Sequence, residues 1–223
     1  MTKKTDSLSN NYKSFDDLNT ALSLYRDTVL LWGEVFNLTA ASSADEFDTF
    51  HIKDSLLPFE IIEAYVKGKS TTLSEGESIS FADLGTGSGL PLIPLALAFS
   101  LYSYPLQFYG IDRSLKRCTF LKNTINVLKQ NDFIKNDIKI INNDISSIKE
   151  RFDFITFRAF TDIKEVEKPI RRILKDDGIV FAYKGKKQTA EKELRLLAKF
   201  SGEVIELEPL EGRERSLMIL KPL

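Results

Sequence analysis

Residues 81–91 read Phe-Ala-Asp-Leu-Gly-Thr-Gly-Ser-Gly-Leu-Pro, an apolar run that enters three alternating glycines and leaves into a second apolar run. The first run predicts a strand, Ile79–Leu84, and the second a helix, Leu90–Phe99. No other feature constrains the fold as tightly as a strand and a helix joined by a glycine turn. Glycine allows backbone to approach a ligand where any Cβ would collide. The helix start beyond it offers unpaired N–H groups and the positive end of a dipole. The spacing is G-x-G-x-G, and Leu90 stands where the dinucleotide pattern G-x-G-x-x-G needs its last glycine.

After this turn, strand and helix patterns alternate. Strands are expected at Leu106–Ile111, Ile138–Asn142, Phe152–Phe157 and Ile179–Tyr183, with helices at Ser114–Lys129, Ile163–Leu174 and Gln188–Phe200 between and after them. Two strand-like runs, Val204–Leu207 and Leu217–Leu220, follow without a helix between them, so one of them is expected to be antiparallel. The pattern predicts an α/β fold of Rossmann-like type, a mostly parallel seven-stranded sheet with helices on both faces. Upstream, Phe15, Leu18, Leu22, Tyr25, Val29 and Trp32 mark one face of an amphipathic helix. Phe47, Phe50, Ile52, Leu56, Phe59, Ile62 and Tyr65 suggest more helix, and Gly68 to Ser78 reads as a loop. Residues 1–78 are thus expected to form a helical extension within the same compact unit as a ligand-binding domain over 79–223.

In such sheets ligands lie beyond the carboxyl ends of the strands, at the point where strand order reverses. The first strand ends in Asp83, Gly85, Gly87 and Gly89, and the second in Asp112, whose carboxylate suits two ribose hydroxyls. The third ends in Asn142, Asn143, Asp144, Ile145 and Ser146, a polar and apolar mixture suited to an adenine edge and face. The fourth ends in Phe157, Arg158, Ala159 and Phe160. Each feature has a plainer reading: Asp112 as a helix cap, 142–144 as turn formers, the glycines as steric necessity. In this order along the sheet they favour a nucleotide-type cofactor. NAD would bring a pyrophosphate to the turn. S-adenosylmethionine brings an ammonium and a carboxylate, which Asp83 and the turn amides suit, so the residues favour S-adenosylmethionine.

The net charge of −1 gives no general attraction to nucleic acid, so any RNA contact must come from local clusters. Met1 to Asn10 is polar and expected to be frayed, without the apolar core of a signal peptide, and no apolar run is long enough to span a bilayer. The single Cys118 fits a reducing cytoplasm and is expected as a buried helix residue. The absence of a Cys/His cluster predicts no metal site.

Several motifs together resemble the small-subunit ribosomal RNA methyltransferase G family, also called glucose-inhibited division protein B. They are Phe36-Asn37-Leu38-Thr39-Ala40, His51-Ile52-Lys53-Asp54-Ser55, the Asp83 to Pro91 turn with Ile93-Pro94, Asp112, Lys116-Arg117, Phe120-Leu121, Phe152-Asp153, Arg158-Ala159-Phe160 and Lys184-Gly185. Leu92, Phe157 and Arg113 depart from the family's glycine, serine and serine. The resemblance implies a class I S-adenosylmethionine-dependent enzyme that methylates guanine N7 in 16S ribosomal RNA, at the guanosine called position 527. It implies cofactor contacts at Gly85, Leu90, Ile145, Ser146 and Arg158. Arg158 is the expected catalytic residue, orienting donor or guanine. Lys116, Arg117 and Lys184 are expected to meet RNA phosphate, and Phe160 to stack on a base. Guanine N7 carries no proton, so His51 is expected to pack the N-terminal helices on the sheet rather than act as a base. The expected partner is 16S rRNA within the small ribosomal subunit, met by a monomer. A methyltransferase of proteins or small molecules, and a non-catalytic ribosome assembly factor of the same fold, stand as alternatives.

Overall fold

The computed structural model describes residues 14–36, 38–159 and 163–223; Met1–Asn10, Asn37 and Phe160 of the sequence reading lie outside the described residues. Helix α1 (Phe15–Phe36) starts at a capping box. The Ser14 hydroxyl accepts from the Asp17 N–H, and the Asp17 carboxylate accepts from the Ser14 N–H. Of the face the spacing predicts, Leu22, Tyr25 and Val29 are buried and Leu18 half-buried, whereas Phe15 and Trp32, towards the ends of the helix, are exposed. Next comes one unbroken helical run: α2 (Ala44–Phe47), a π-helical stretch (Asp48–Lys53) and α3 (Asp54–Leu56). Such π-helical turns recur at functional sites, and this one carries His51 just ahead of Asp54. Helix α4 (Phe59–Ser70) ends the segment, running further than the loop expected from Gly68.

The rest alternates as β1 (Ile79–Leu84), α5 (Leu92–Phe99), β2 (Leu106–Asp112), α6 (Leu115–Gln130), β3 (Asp137–Asn142), β4 (Phe152–Arg158), α7 (Ile163–Ile173), β5 (Leu174–Lys184), α8 (Lys187–Leu194), β6 (Phe200–Leu210) and β7 (Arg213–Pro222). Among the described residues these strands make one seven-stranded sheet in the order β3-β2-β1-β4-β5-β7-β6. The first five are parallel; β7 is antiparallel to both neighbours, so the sheet is mixed by one strand.

Several boundaries depart from the sequence reading; α5 starts at Leu92 rather than Leu90, and β7 is longer than Leu217–Leu220 at both ends. Helix α8 stops at Leu194, and Phe200 pairs with Pro222 instead of ending a helix. Leu174 leaves α7 to pair with Phe152, and the ladder resumes at Ile179 after a register shift. The residues skipped, Lys175 to Gly178, include three turn formers, Asp176, Asp177 and Gly178. At Gly178 a Cβ would stand 2.9 Å from the Asp153 carbonyl, so only glycine fits the return. Strand β6 runs beyond Val204–Leu207 because β7 supplies partners along almost all of it.

Two cores sandwich the sheet. One face packs Ile79, Phe81, Phe108, Phe154 and Phe181 against side chains of α1, α4, α5 and α6. The other packs Ala82, Leu84, Ile155, Val180 and Met218 against α7 and α8. An aromatic row crosses the first face: Phe108 to Phe81 at 5.4 Å between centroids, Phe81 to Phe154 at 5.8 Å, and Phe154 to Phe181 at 5.7 Å. Helices therefore change faces between β1 and β4, which opens a crevice at those strand ends. Among the described residues, no helix is long and apolar enough to cross a membrane.

Phe81 sits in the middle of that row and is fully buried. Phe81→Ala is expected to cost about 3–5 kcal/mol through lost contacts and a residual cavity, and Phe81→Leu less. The midpoint and slope of urea unfolding check both.

Candidate active site

The glycine turn lies at the crevice. Gly85, Gly87 and Gly89 all take positive φ, at 66°, 59° and 102°. Side-chain-bearing residues rarely adopt these angles. A Cβ at Gly89 would also stand 2.6 Å from Ile93 and 2.7 Å from Leu121, so this glycine lets the turn rest on α5 and α6. The turn is tied to β2, because the N–H groups of Gly85 and Thr86 donate to the Ile111 carbonyl at 2.8 and 3.2 Å. From above, the buried Tyr25 hydroxyl of α1 donates to the Ser88 carbonyl at 3.0 Å.

Beneath the turn lies Asp83. It is fully buried, and neither carboxylate oxygen has a well-formed hydrogen bond; the Thr86 hydroxyl beside it is likewise unsatisfied. Burial pushes the Asp83 carboxyl up to about 7, against opposing influences of Thr86, Arg158 and the Leu92 N–H. Unpaired buried carboxylates are costly, so this one is poised for a cation.

Asp112, at the end of β2, is nearly buried and already engaged. One oxygen accepts from the Gly87 N–H at 2.9 Å and the other from the Ser114 N–H at 2.8 Å. It braces the turn, and Ser114 rather than Asp112 caps α6. Each carboxylate oxygen still has a lone-pair site for a hydroxyl. Lys116 and Arg117 are exposed on the first turn of α6, with Arg117 Nη1 3.9 Å from Asp112. Cys118 is buried, its thiol directed at the Asp112 carbonyl.

Past β3, Asp144 accepts from the Ser146 N–H and hydroxyl at 2.9 and 2.7 Å; these bonds hold its carboxyl below the usual range. Sequence reasoning missed what fastens this loop. Arg172 of α7 donates to the carbonyls of Ile145, Ser146 and Ile148. Leu90 is buried at the end of the turn.

Arg158 ends β4 on the sheet face that α1–α4 cover. Its Nη1 donates to Asp54 at 2.9 Å and to the Phe50 carbonyl at 3.3 Å, while Nη2 lies 3.3 Å from His51 Nδ1. Asp54 also accepts from Arg215 Nε of β7. One carboxylate thus holds two guanidiniums, so this cluster of three carries an excess of positive charge. Arg158, expected as the residue that orients donor or guanine, is also held in an ion pair, which orients its guanidinium. His51 Nε2 meets the Thr39 hydroxyl at 3.1 Å; burial and then Arg158 hold the imidazole's pKa below its usual value. With both nitrogens engaged, His51 ties the N-terminal helices to the sheet. Ala159, next along, takes a left-handed φ of 48°, a strained state for alanine. Lys184, at the end of β5, is paired with Glu193. It is set apart from Lys116 and Arg117, which follow β2 on the far side of β1 and β4.

Two measurements test this electrostatic arrangement. Removing Asp54 strands two guanidiniums that are only 15% and 19% exposed. Asp54→Ala is therefore expected to cost about 3 kcal/mol, more than Arg158→Ala or Arg215→Ala, each of which leaves Asp54 one partner; thermal unfolding ranks the three. Asp83 carries a carboxyl raised well above its unfolded value of about 4. Between those values the folded protein binds a proton that the unfolded chain has lost. Without a ligand, stability should thus fall as pH rises from about 4 to 7. Asp83→Asn should flatten that fall in urea midpoints taken across the same range.

A family described as rRNA small subunit methyltransferase G matches residues 18–217. Curated relatives named ribosomal RNA small subunit methyltransferase G include one from Treponema denticola, 29% identical over 95% of this chain and 89% of its own. Another, from Borrelia turicatae, is 31% identical over 93% of this chain and 90% of its own. Among solved structures, magnesium protoporphyrin IX methyltransferase from Synechocystis PCC 6803 with bound SAH superposes with a TM-score of 0.54 at 13% identity, covering 92% of this chain and all of that one. That likeness concerns the fold alone. The family match spans nearly the whole chain and both halves of the site just described: the chain belongs to the rRNA small subunit methyltransferase G family.

Proposed function

We propose that the chain transfers a methyl group from S-adenosylmethionine to N7 of a guanine in 16S ribosomal RNA. The observation that carries this reading is the pairing of two charges across the crevice: Asp83, buried and unpaired beneath the glycine turn, and Arg158, fixed by Asp54 at the next strand end. The names of the relatives support the RNA as substrate.

The residues present fit the cofactor. Asp83 suits its ammonium, and Arg158 and the turn backbone suit its carboxylate. Asp112 retains acceptor sites that would suit the ribose hydroxyls, and the Asp144–Ser146 loop would meet the adenine. Gly85, Gly87, Gly89 and Leu90 form the floor. When bound, the cofactor supplies an electrophilic methyl group on a sulfonium.

The chain's own work is then positional. Guanine N7 offers an in-plane lone pair and has no proton to lose, so no side chain need act as a base. His51, held below its usual pKa and engaged at both nitrogens, fits that requirement. Arg158 fixes orientation and neutralises anionic groups, and the packed helices keep water out. Exposed Lys116 and Arg117, with Lys184 and Phe160, are the proposed RNA contacts; phosphate contacts of this kind make binding salt-dependent. The guanosine at position 527, met by a monomer within the small ribosomal subunit in the cytoplasm, is the proposed target.

Small subunits that lack the modification, incubated with methyl-labelled S-adenosylmethionine, should take up label at one loop, mapped by cleavage at N7-methylguanine. Tight cofactor binding with no label in RNA would reject the ribosomal assignment. Arg158→Ala keeps the Asp54–Arg215 pair, so it should fold and lose roughly 10- to 100-fold in turnover, as expected for a lost charged hydrogen bond. Wild-type turnover in that variant would remove Arg158 from the mechanism.

A further inference from the structure

A cavity of about 280 Å³ opens at the carboxyl ends of β4 and β5 and the facing start of β7. Arg158, Ala159, Lys184, Leu207, Arg215 and Asp54 are among its walls. It does not lie over the glycine turn, which is on the β1–β2 side. Arg158 is the residue the two share, since it lines the cavity and also acts electrostatically on Asp83. A donor compartment and a second compartment that meet at one fixed cation are what a group-transfer site needs.

The cavity's size falls just under the range of small-molecule pockets, so it holds one base and no helix. Its charged lining is rich in donors: Arg158, Arg215 and Lys184 outnumber Asp54, the lining carboxylate, which pairs with both guanidiniums, while Lys184 also pairs with Glu193 outside the lining. Donors suit a ring edge made of acceptors. Guanine presents O6 beside N7 on one edge, whereas adenine presents an amino donor there. Ala159, with its left-handed φ, is also part of the lining.

From these features we infer that this cavity is the acceptor-base pocket, taking a single guanine extruded from the RNA and holding it by O6 while N7 faces the glycine turn. The inference rests on the RNA methylation reading above. Bases acted on by enzymes are commonly taken out of their stack into such pockets.

Leu207 of β6 lines the cavity and belongs to none of the cofactor contacts, so Leu207→Trp fills the space from the far wall. The expected result is methyl transfer to unmodified small subunits reduced roughly 100-fold by misplacement of the base. Affinity for S-adenosylhomocysteine should stay within about twofold, as for independent sites. Transfer at the wild-type rate with the cavity filled overturns the inference. Should the variant lose cofactor affinity as well, Leu207→Cys, alkylated with a bulky maleimide after folding, decides by the same two readings; Cys118 is buried. Subunits carrying adenine at the target should stay unmethylated, and their methylation at the wild-type rate overturns the selectivity for guanine. Failure of the unaltered protein to methylate any RNA would instead overturn the proposed function.

Discussion

One carboxylate with two guanidiniums organises the molecule. Asp54 comes from the N-terminal helices, Arg158 from the middle of the sheet and Arg215 from its last strand. Removing charges from water is expensive, and geometry with further hydrogen bonds has to offset that cost. Here the Phe50 carbonyl and His51 share Arg158, while the Glu214 carbonyl takes a second bond from Arg215. Nearby, Arg213 stacks on the Phe50 ring at 3.9 Å, which reinforces the same junction. The α1–α4 segment is therefore a wall of the candidate site. Its Tyr25 reaches the glycine turn and its Asp54 reaches the cavity, so the α1–α4 segment touches both compartments that Arg158 separates.

The sheet was legible in the sequence because parallel strands are buried on both faces and read as continuous apolar runs. Ile79–Leu84 matched the residues of β1, and the order of strand ends located Asp83, the glycines, Asp112 and Arg158 around one crevice. Boundaries were lost where local pattern is weak. Phe200 continues the apolar spacing of α8 yet belongs to a strand, because β7 offers it a backbone partner. The π-helical turns around His51 also leave no periodic signature of their own.

The ion-pair junction was not legible, and for a physical reason. Asp54 lies 104 residues from Arg158 and 161 from Arg215, so no spacing rule couples them. The apolar pattern from Phe47 to Tyr65 marks that segment as helix, and the run His51–Ser55 marks it as a motif, but neither names a partner for Asp54. Arg172 was missed in the same way, since a basic residue in the last turn of a helix reads as a dipole partner. Its fork on the carbonyls of 145, 146 and 148 shows instead how α7 sets the shape of the loop after β3. Asp112 illustrates the opposite error of choosing between two roles. It braces the turn through Gly87 and the start of α6 through Ser114, and the acceptor sites left over stay available to a ligand.

The placement of β7 between β5 and β6 bears on how the chain comes together during synthesis. The five parallel strands precede it and can pair as they emerge, but β5 keeps an open edge and β6 has no neighbour until residues 213–222 arrive. Arg215 arrives with them, so until then Asp54 holds one guanidinium and the cavity lacks a side. A nascent chain arrested before that point would carry a glycine cradle without a finished acceptor compartment, and would expose an unpaired strand edge prone to aggregation. Competence for transfer is thus coupled to completion of the sheet.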